Sequence, residues 1–508
     1  MQAFKDKNVM VLGLGISGLA MARWAHAAGA HVCVVDSRAQ PPKLTELNSQ
    51  LPGVEFIHSL FDSRLFSNRD LHYVLKSPGL SPQEISAFSE ALNPDTTLIL
   101  GELSVFSMAI EELRVASGYC PSILAITGTN GKTTVTALTT LLLQRAGKSV
   151  VMAGNIGPSM LDTLSTHNQE GTLPQVWVLE LSSFQLEGVS NFEPHAATVL
   201  NISEDHLDWH GGIENYVQSK KRVFGNQALM VLNRDDATVA EMGLPPVKVK
   251  KDKTSAREIR LFGSDMPSRP GDFGIQSQNG MQWLVRASQA DETIKRKRGA
   301  EQEIYIQRLM PCDALRLRGQ HNALNALAAL ALATTVEASL SEMLYGLREY
   351  KGEPHRVQSV ACIDGVEYFD DSKGTNVGAT VAALNGLGAD RKLVVILGGD
   401  GKGQNFSPLA PPLSRYARAV VLIGRDAALI RQSLEGSIAQ EITVSHASSL
   451  EEAVDAAALS ARSGDAVLLS PACASLDMFR NYEHRAQVFC EAVNKRALDA
   501  GQSMGALA

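Results

Sequence analysis

The sequence predicts an α/β protein of three domains, on the basis of its length and two glycine-rich turns. At 508 residues the chain is too long for one hydrophobic core, because single domains usually hold about 100–200 residues. A G-x-G-x-x-G turn follows the first apolar run, and G-x-x-G-K-T-T follows a second one. Such turns are typical of a Rossmann-like and of a P-loop ATPase-like sheet. We expect a Rossmann-like N-terminal domain at 1–113, a central P-loop ATPase-like domain at 114–352 and a Rossmann-like C-terminal domain at 353–508.

The composition is that of an ordinary soluble globular protein, with 44% apolar and 20% charged residues. The net charge of -7 argues against nucleic-acid binding by bulk attraction. No apolar stretch approaches the ~18 residues that cross a bilayer, and the N-terminus lacks the order of a signal peptide. The six cysteines are scattered without metal or redox spacing. We therefore expect a cytoplasmic protein with no nucleic-acid partner and no membrane insertion.

The first glycine-rich turn predicts a crevice for a nucleotide-like ligand. It reads G-L-G-I-S-G at 13–18, between a strand at 8–12 and an alanine-rich helix. A second strand ends at Asp36, near the distance at which an acidic residue meets a ribose hydroxyl. Gly79, after a strand at 73–76, is expected to line the same crevice. This pattern is typical of NAD binding, but the same turn serves other phosphorylated ligands, so the ligand stays open at this point.

The second glycine-rich turn predicts a triphosphate site. Residues 127–134 read T-G-T-N-G-K-T-T, between an apolar run at 123–126 and a helical pattern at 135–146. Backbone N–H groups of such a loop and the helix N-terminus bind phosphate oxygens, while Lys132 adds a positive charge and Thr133 a hydroxyl for Mg²⁺. Ile126 stands where the full motif has its first glycine. The loop is therefore a shortened form of that motif.

Two later strands of the central domain end in side chains suited to metal binding. Glu180 follows the strand at 176–179, and His206 follows the strand at 197–202. Because the carboxyl ends of parallel strands meet at one edge of a sheet, both are expected to face the phosphate loop. Glu180 and Thr133 offer the oxygen ligands that Mg²⁺ prefers, and His206 indicates a second metal position or tolerance of Mn²⁺.

Three other stretches of the central domain have different patterns. Residues 250–312 break the α/β rhythm, with a hairpin predicted at Asn279-Gly280 and a basic run at 295–298, and predict a β-rich insertion. The helix that follows Gly319 begins with amide side chains suited to reading a purine. Lys220 has the pattern of an ordinary surface lysine.

The third domain carries lysines in glycine-rich loops where strands end. Lys373 lies in D-D-S-K-G-T-N at 370–376, and Lys402 lies in G-G-D-G-K-G at 398–403. Two such lysines in one crevice favour an anionic substrate over solvated loop residues. One triphosphate, one nucleotide-tagged substrate and one small anion together indicate an ATP-dependent ligase.

The chain resembles the Mur ligase family over essentially its whole length. The stretches at 127–134, 319–322 (G-Q-H-N) and 355–356 (H-R) resemble signatures of the whole family. Those at 370–376, 398–402 and 470–475 (S-P-A-C-A-S) resemble its D-glutamate-adding branch. The D-N-P-R motif of the diaminopimelate- or lysine-adding branch is absent from the sequence.

The resemblance implies the binding residues of three substrates and a metal. The ATP site would comprise Gly128, Thr129, Asn130, Gly131, Lys132, Thr133, Thr134, Asn322, Asn325, Arg356 and Asp371. The UDP-substrate site would comprise Ile16, Ser17, Asp36, Ser37, Arg38, Gly79, Asn155 and Gln185. The D-glutamate site would comprise Lys373, Thr375, Lys402, Ser475 and Tyr482, the last standing where the family has phenylalanine. The metal ligands would be Thr133, Glu180, His206 and Lys220.

The resemblance also implies the reaction, the joining of D-glutamate to UDP-N-acetylmuramoyl-L-alanine in cytoplasmic peptidoglycan precursor synthesis. The alanyl carboxylate would attack ATP to give an acyl phosphate and ADP, and the amine of D-glutamate would then displace phosphate. Lys132, His206 and Lys220 would be catalytic, with two Mg²⁺ ions that Mn²⁺ can replace. Lys220, or in the alternative register Lys221, matches a lysine that the family carbamylates. We expect a monomer whose third domain closes over ATP.

Three other functions are weighed against this one. An NAD-dependent oxidoreductase fits the first turn and Asp36 but leaves the loop at 128–134 without a role. A non-enzymatic ATP-binding switch would be excluded by phosphate release that occurs only when both other substrates are present. A folylpolyglutamate-type ligase gives no reason for the first glycine-rich turn.

Overall fold

The computed structural model describes residues 2–66, 69–243, 257–289, 304–317 and 319–502. It contains three large sheets with helices on their faces and one small antiparallel sheet. The predicted three-domain α/β fold is confirmed. The basic run at 295–298 lies outside the described residues.

The first domain is a five-stranded parallel sheet in the order β3-β2-β1-β4-β5. Its strands are β1 Asn8–Leu12, β2 His31–Asp36, β3 Glu55–His58, β4 Tyr73–Lys76 and β5 Leu98–Leu100. Its helices are α1 Ile16–Ala27, α2 Leu44–Gln50, α3 Ser63–Phe66, α4 Pro82–Ser89 and α5 Glu102–Ser117. The strand order reverses between β1 and β4, which is where open α/β sheets bind ligands.

The central domain is a six-stranded parallel sheet in the order β11-β10-β9-β6-β8-β7. Its strands are β6 Ser122–Thr127, β7 Val150–Gly154, β8 Val176–Glu180, β9 Ala196–Val199, β10 Leu229–Asn233 and β11 Ile259–Phe262. Its helices are α6 Lys132–Arg145, α7 Met160–Glu170, α8 Ser183–Leu186, α9 Leu207–His210, α10 Ile213–Lys221, α11 Ala237–Glu241, α12 Gln320–Ala333 and α13 Leu340–Glu349. Strands β6, β8 and β9 are mostly apolar and are buried along almost their whole length, because both faces of this sheet are covered.

A small antiparallel sheet follows β11, in the order β12-β13-β14. Its strands are β12 Phe273–Gln278, β13 Met281–Gln289 and β14 Ile304–Pro311. The predicted turn at Asn279-Gly280 joins the first two, and both turn residues have positive φ, as a two-residue hairpin turn requires. The described part of the predicted insertion is therefore β-rich.

The third domain is a six-stranded sheet in the order β15-β16-β20-β17-β18-β19, with only the β15–β16 pair antiparallel. Its strands are β15 Gln358–Ile363, β16 Val366–Asp370, β17 Leu393–Gly398, β18 Ala417–Ile423, β19 Thr443–His446 and β20 Ala466–Leu469. Its helices are α14 Val377–Leu387, α15 Ala410–Tyr416, α16 Ala427–Leu434, α17 Leu450–Ser460 and α18 Tyr482–Asp499.

The domains are joined in two different ways. A single cluster of buried apolar side chains runs from the first domain into the central one, and in it the Phe106 and Trp177 rings meet edge to face at 5.2 Å. The two apolar clusters of the third domain draw only on residues between 357 and 497 among the part of the chain described. The first domain is therefore packed against the central one, whereas polar contacts hold the third.

None of the described helices combines the length and the apolar character that crossing a bilayer requires.

Candidate active site

The phosphate loop lies between β6 and α6, at the centre of the middle sheet. Gly128 and Gly131 have φ of 150° and 84°, a region that side chains disfavour. At Gly131 an added Cβ would also lie 2.6 Å from Asn325 Oδ1, so the tip of that side chain would have to move. The helix begins at Lys132, three residues earlier than the pattern predicts, since the left-handed Gly131 turns the chain directly into it.

Lys132 folds back over this loop. Its Nζ donates to the carbonyl oxygens of Gly128 at 2.9 Å and Thr129 at 2.8 Å. Burial lowers the pKa of this amine, and the carboxylate of Glu180 opposes that shift. The amine therefore lies among backbone groups of the loop, where it can exchange carbonyl partners for phosphate oxygens.

Lys220 is a correction to the sequence interpretation. The pattern predicts a surface lysine, but its side chain is only 1% exposed. Its Nζ donates to Gly128 O at 2.9 Å and lies 4.6 Å from the centre of the Tyr216 ring. Burial and the nearby Lys132 charge lower the pKa of Lys220 well below its usual value. The polar sequence of α10 hides this position, because burial comes from the loops packed over it.

The predicted metal ligands gather beside these lysines. Thr133 and Glu180 are buried. Asn155 Nδ2 donates to Glu180 Oε1 at 2.8 Å, while Glu180 Oε2 is buried with no hydrogen-bond partner. Burial lowers the pKa of His206 to about 4 despite the nearby Asp205, so its imidazole is neutral near pH 7 and can offer a lone pair.

These residues fit a divalent cation that also draws ligands from phosphate and water. A buried, unpartnered carboxylate oxygen is costly unless something positive meets it. Among the described residues, no three His, Cys, Asp or Glu side chains are grouped as a metal site. A hard cation that needs oxygen ligands beyond the protein, such as Mg²⁺, suits this set.

A second part of the cleft lies between α12 and the third domain. It is a cavity of about 80 Å³ lined by residues of both domains, among them Asn130, Gly131, Thr134, Asn322, Asn325, Arg356 and Asp371. Arg356 Nη2 donates to Thr133 Oγ1 at 3.0 Å, and Asn325 Nδ2 donates to Asn322 Oδ1 at 3.3 Å. Ser470 Oγ donates to Asp371 Oδ2 at 2.6 Å, but burial raises the pKa of Asp371 to about 7. Seven of the eleven predicted ATP-contacting residues therefore line one cleft.

The predicted UDP-substrate residues fall into two groups. Ile16, Ser17, Asp36, Ser37, Arg38 and Gly79 line a crevice of about 460 Å³ in the first domain. Asp36 accepts hydrogen bonds from Leu14 N at 2.7 Å and from the Arg38 guanidinium. Burial alone would raise the pKa of Asp36, but these hydrogen bonds outweigh it and lower that pKa. The exposed Ile16, at 66%, offers an apolar face beside them.

Asn155 and Gln185 form the other group, at the edge of the central sheet beside Glu180. Gln185 Oε1 accepts from the backbone N–H of Ser182 at 3.0 Å, in a capping box that begins α8. Trp209 Nε1 donates to Gly79 O at 3.2 Å and so links this edge to the crevice of the first domain.

Four of the predicted D-glutamate residues lie on three loops of the third domain, and the fifth, Tyr482, begins α18. Ala472 N donates to Gly374 O at 3.0 Å, and Asp400 and Ala474 exchange backbone hydrogen bonds at 3.0 and 2.8 Å. These bonds tie together the loops that carry Lys373 and Thr375, Lys402, and the buried Ser475.

Two charged contacts place these loops in the cleft. Lys373 Nζ lies 5.2 Å from the Tyr482 ring centre, and burial and the neighbouring Arg356 lower its pKa. Lys402 Nζ donates to Asp205 Oδ1 at 3.3 Å, next to His206. The structure thus brings the loop of Lys402 to the candidate metal ligands.

Sequence reasoning missed several polar residues of the cleft. Asp205 meets Lys402, while Asn201 contacts Asn130 and Asn376 pairs with it. Asn376 ends a stretch that sequence analysis singles out, but its partner is 246 residues away. No local pattern could identify such contacts.

Comparisons with known proteins agree with the three-domain fold. Residues 7–99 match the model of the Mur ligase MurD-like N-terminal domain, 126–333 the Mur ligase middle domain and 355–473 the Mur ligase glutamate ligase domain. The chain is 58% identical, over 99% of its length and 98% of the relative's, to the UDP-N-acetylmuramoylalanine--D-glutamate ligase of Albidiferax ferrireducens. It is 50% identical to the protein of the same name from a Polaromonas species, over 99% of this chain and all of the other.

A solved structure supports the fold at lower identity. The MurF ligase of Thermotoga maritima in complex with ADP matches with a TM-score of 0.56 at 16% identity, over 97% of this chain and 96% of the other. That likeness speaks for the three-domain fold alone. With the family models and near full-length relatives at 50–58% identity, it leads to one conclusion: this chain belongs to the Mur ligase family.

Proposed function

We propose that the chain catalyses the ATP-dependent ligation of D-glutamate to UDP-N-acetylmuramoyl-L-alanine. One observation carries this proposal: the phosphate loop, the orphaned Glu180 oxygen and the Lys402 loop of the third domain converge on a single cleft. A triphosphate site and a cationic loop that meet in this way suit a ligase that couples ATP cleavage to the binding of an anionic amino acid. The names of the close relatives support the same substrates.

The proposed reaction has two steps. An oxygen of the alanyl carboxylate attacks the γ-phosphorus of ATP, and the bond to the β-phosphate oxygen breaks with release of ADP. The amine of D-glutamate then attacks the acyl carbon, and the tetrahedral adduct loses phosphate and a proton to leave the amide. Lys132 and the loop N–H groups stabilise charge in the first step, because they are fixed before the reaction begins.

The metal site would be held by Thr133, Glu180, His206 and a carbamylated Lys220, and would take two Mg²⁺ ions or Mn²⁺. Bound metal would neutralise charge on the transferred phosphoryl group. Burial of Lys220 favours its neutral amine, the form that attacks CO₂ and loses a proton to become a carbamate. Lys221 is exposed, which supports Lys220 as the modified residue.

The other roles follow the cleft. The UDP portion would lie in the crevice of Asp36 and Gly79, with its sugar end at Asn155 and Gln185. D-Glutamate would lie among the residues that the resemblance implies, between Lys373 and Lys402. We place the domain boundaries after residues 113 and 352, and propose a cytoplasmic monomer.

A coupled phosphate-release assay tests the function. With ATP, Mg²⁺ and UDP-N-acetylmuramoyl-L-alanine, we expect steady phosphate release only when D-glutamate is added, and not with L-glutamate, L-lysine or diaminopimelate. Release with another amino acid, or without any, would overturn the assignment.

Lys132→Ala links this activity to the phosphate loop. We expect this variant to fold but to lose ADP formation, because it removes the amine that lies over the carbonyl oxygens of Gly128 and Thr129. Normal phosphate release by the variant would contradict the role of the loop.

A further inference from the structure

Two asparagine side chains join the phosphate loop to the third domain. Asn130 Nδ2 donates to Asn376 Oδ1 at 3.2 Å, and Asn376 Nδ2 donates to Asn130 Oδ1 at 3.0 Å. Each amide uses both its donor and its acceptor on the other, so neither an aspartate nor a serine could reproduce the pair. The pair is therefore a specific contact between the two domains.

Asn130, the member of the pair in the central domain, is held by the side chain of Asn201. Asn201 Oδ1 accepts from Asn130 N at 2.8 Å, and Asn201 Nδ2 donates to Asn130 O at 3.1 Å. Both backbone groups of Asn130 are thus bonded by one side chain. The direction of the Asn130 side chain is consequently tied to the conformation of the phosphate loop.

The other half leads to the Lys402 loop. Asn376 is buried and caps α14, because its Oδ1 also accepts from Ala379 N at 2.9 Å. The next residue, Val377, donates its N–H to Gln404 Oε1 at 2.9 Å, and Gln404 Nε2 donates to Gly401 O at 3.0 Å. A short chain of hydrogen bonds therefore runs from the phosphate loop to the residue beside Lys402.

The first turn of α14 is also packed closely against the loop. A Cβ added at Gly378 would lie 3.0 Å from Ser203 Oγ and 3.2 Å from Asn130 Nδ2. One methyl group here would displace the Ser203 hydroxyl and the Asn130 amide by a few tenths of an ångström, without removing either amide of the pair.

We propose that Asn130 and Asn376 are positioning residues that couple ATP binding at the phosphate loop to D-glutamate binding in the third domain. An occupied loop holds Asn130 in the direction that pairs with Asn376, and the pair seats the Lys402 loop over the cleft. This rests on the proposed function; it adds Asn376, and it gives the Asn130 side chain a positioning role beside the ATP contact that the resemblance implies for that residue. By linkage, D-glutamate must strengthen nucleotide binding by the same factor.

Calorimetric titration of D-glutamate tests the proposal. The protein is saturated with UDP-N-acetylmuramoyl-L-alanine and titrated with and without a non-hydrolysable ATP analogue. In the wild type we expect the analogue to tighten D-glutamate binding. Asn376→Ser keeps a good helix cap but is too short to reach Asn130, and we expect it to reduce that tightening about tenfold, the effect of two neutral hydrogen bonds.

A matched variant and a steric variant complete the design. Asn385→Ser makes the same change at an exposed position of the same helix and should keep the wild-type tightening. Gly378→Ala should reduce it with both amides present, and it keeps the test decisive if Asn376→Ser does not fold. In a double-mutant cycle, Asn130→Ser combined with Asn376→Ser should reduce the tightening by the analogue no more than either change alone.

The outcomes separate the two proposals. Unchanged tightening in Asn376→Ser and Gly378→Ala, or strictly additive effects in the cycle, would overturn the coupling role. Equal loss of D-glutamate affinity with and without the analogue would overturn it too, because the residues would then act only within the third domain. If the wild type releases phosphate with D-glutamate, such results leave the ligase function standing; if it does not, that function itself fails.

Discussion

At the scale of single residues, the unusual feature of the cleft is a pair of lysine amines that donate to the same carbonyl oxygen. Lys132 and Lys220 both donate to Gly128 O at 2.9 Å, and both have pKa values lowered first by burial. Two ammonium groups in this position would repel each other. The arrangement favours a neutral Lys220, which is the state that carbamylation requires.

Lys220→Ala tests this chemistry. We expect activity to fall by about 100-fold or more, because the preorganised negative charge of the proposed carbamate is lost from the site. Activity should recover partly when short carboxylic acids are added. Lys221→Ala, at the exposed neighbour, should keep wild-type rates in the same phosphate-release assay. An active Lys220→Ala that acids do not affect would move the role to another residue.

His210 is a second residue whose burial has a measurable consequence. Its Nε2 lies 2.9 Å from Ser183 Oγ and its Nδ1 lies 3.4 Å from Ser219 Oγ, so the ring joins α8 to the helix of Lys220. Burial lowers the pKa of His210 to about 4. Between the ordinary pKa of histidine and about 4, His210 is therefore protonated in the unfolded chain but neutral in the folded one.

This difference predicts how stability depends on pH. The folded protein loses stability as pH falls from about 6.5 towards 4, by roughly 2 kcal/mol from this residue between pH 7 and pH 5. His210→Gln lacks this titrating group. Its free energy of unfolding, measured with urea at pH 7 and pH 5, should therefore fall by correspondingly less than that of the wild type. Equal differences in the two proteins would show that the imidazole is protonated in the fold.

What the sequence could predict at this scale depends on how local the signal is. The loop at 128–134 is recognisable because its glycines, lysine and threonine are contiguous. Lys220 looks like a surface residue because its burial comes from loops distant in the chain. The contacts that bring Asp205 and Asn376 into the cleft are likewise made with partners about 200 residues away or more.

At the scale of elements, the turns show which glycines are required and why. Both Gly131 and Gly280 have positive φ, 84° and 77°. Only at Gly131 would a Cβ also meet an atom, Asn325 Oδ1 at 2.6 Å, whereas nothing lies within 4 Å at Gly280. Conformation is therefore the whole constraint in the hairpin and only part of it in the phosphate loop.

Two alanine variants separate these constraints. Gly280→Ala should cost about 1 kcal/mol of stability, the usual strain of a left-handed residue, and leave kcat/KM for ATP unchanged. Gly131→Ala should carry the same strain and also raise the KM for ATP, because the loop and Asn325 must shift apart. Thermal unfolding and steady-state kinetics measure both, and equal kinetic effects would refute the distinction.

At the scale of the whole molecule, the order of the domains is predictable but their contacts are not. Repeated strand and loop patterns are sufficient to predict three α/β sheets, since periodicity is a local property. Whether an interface is apolar or polar depends on side chains that the fold brings together. Here a buried apolar cluster joins the first two domains, while Asn130–Asn376, Arg356–Thr133 and Lys402–Asp205 link the third.

This asymmetry predicts which domain moves. The cavity beside Asn322 and Arg356 measures about 80 Å³, below the roughly 300–1,000 Å³ of ordinary ligand pockets. If ATP binds there, as we propose, we predict that the third domain separates from the central one to admit it. Breaking polar contacts that water can replace costs less than exposing an apolar core.

Small-angle X-ray scattering should therefore give a larger radius of gyration without ligands than with UDP-N-acetylmuramoyl-L-alanine and a non-hydrolysable ATP analogue. A cysteine pair that crosslinks the first and central domains should preserve this change, whereas one that crosslinks the third and central domains should abolish it. Compaction that survives only the second crosslink would show that the first domain is the one that moves.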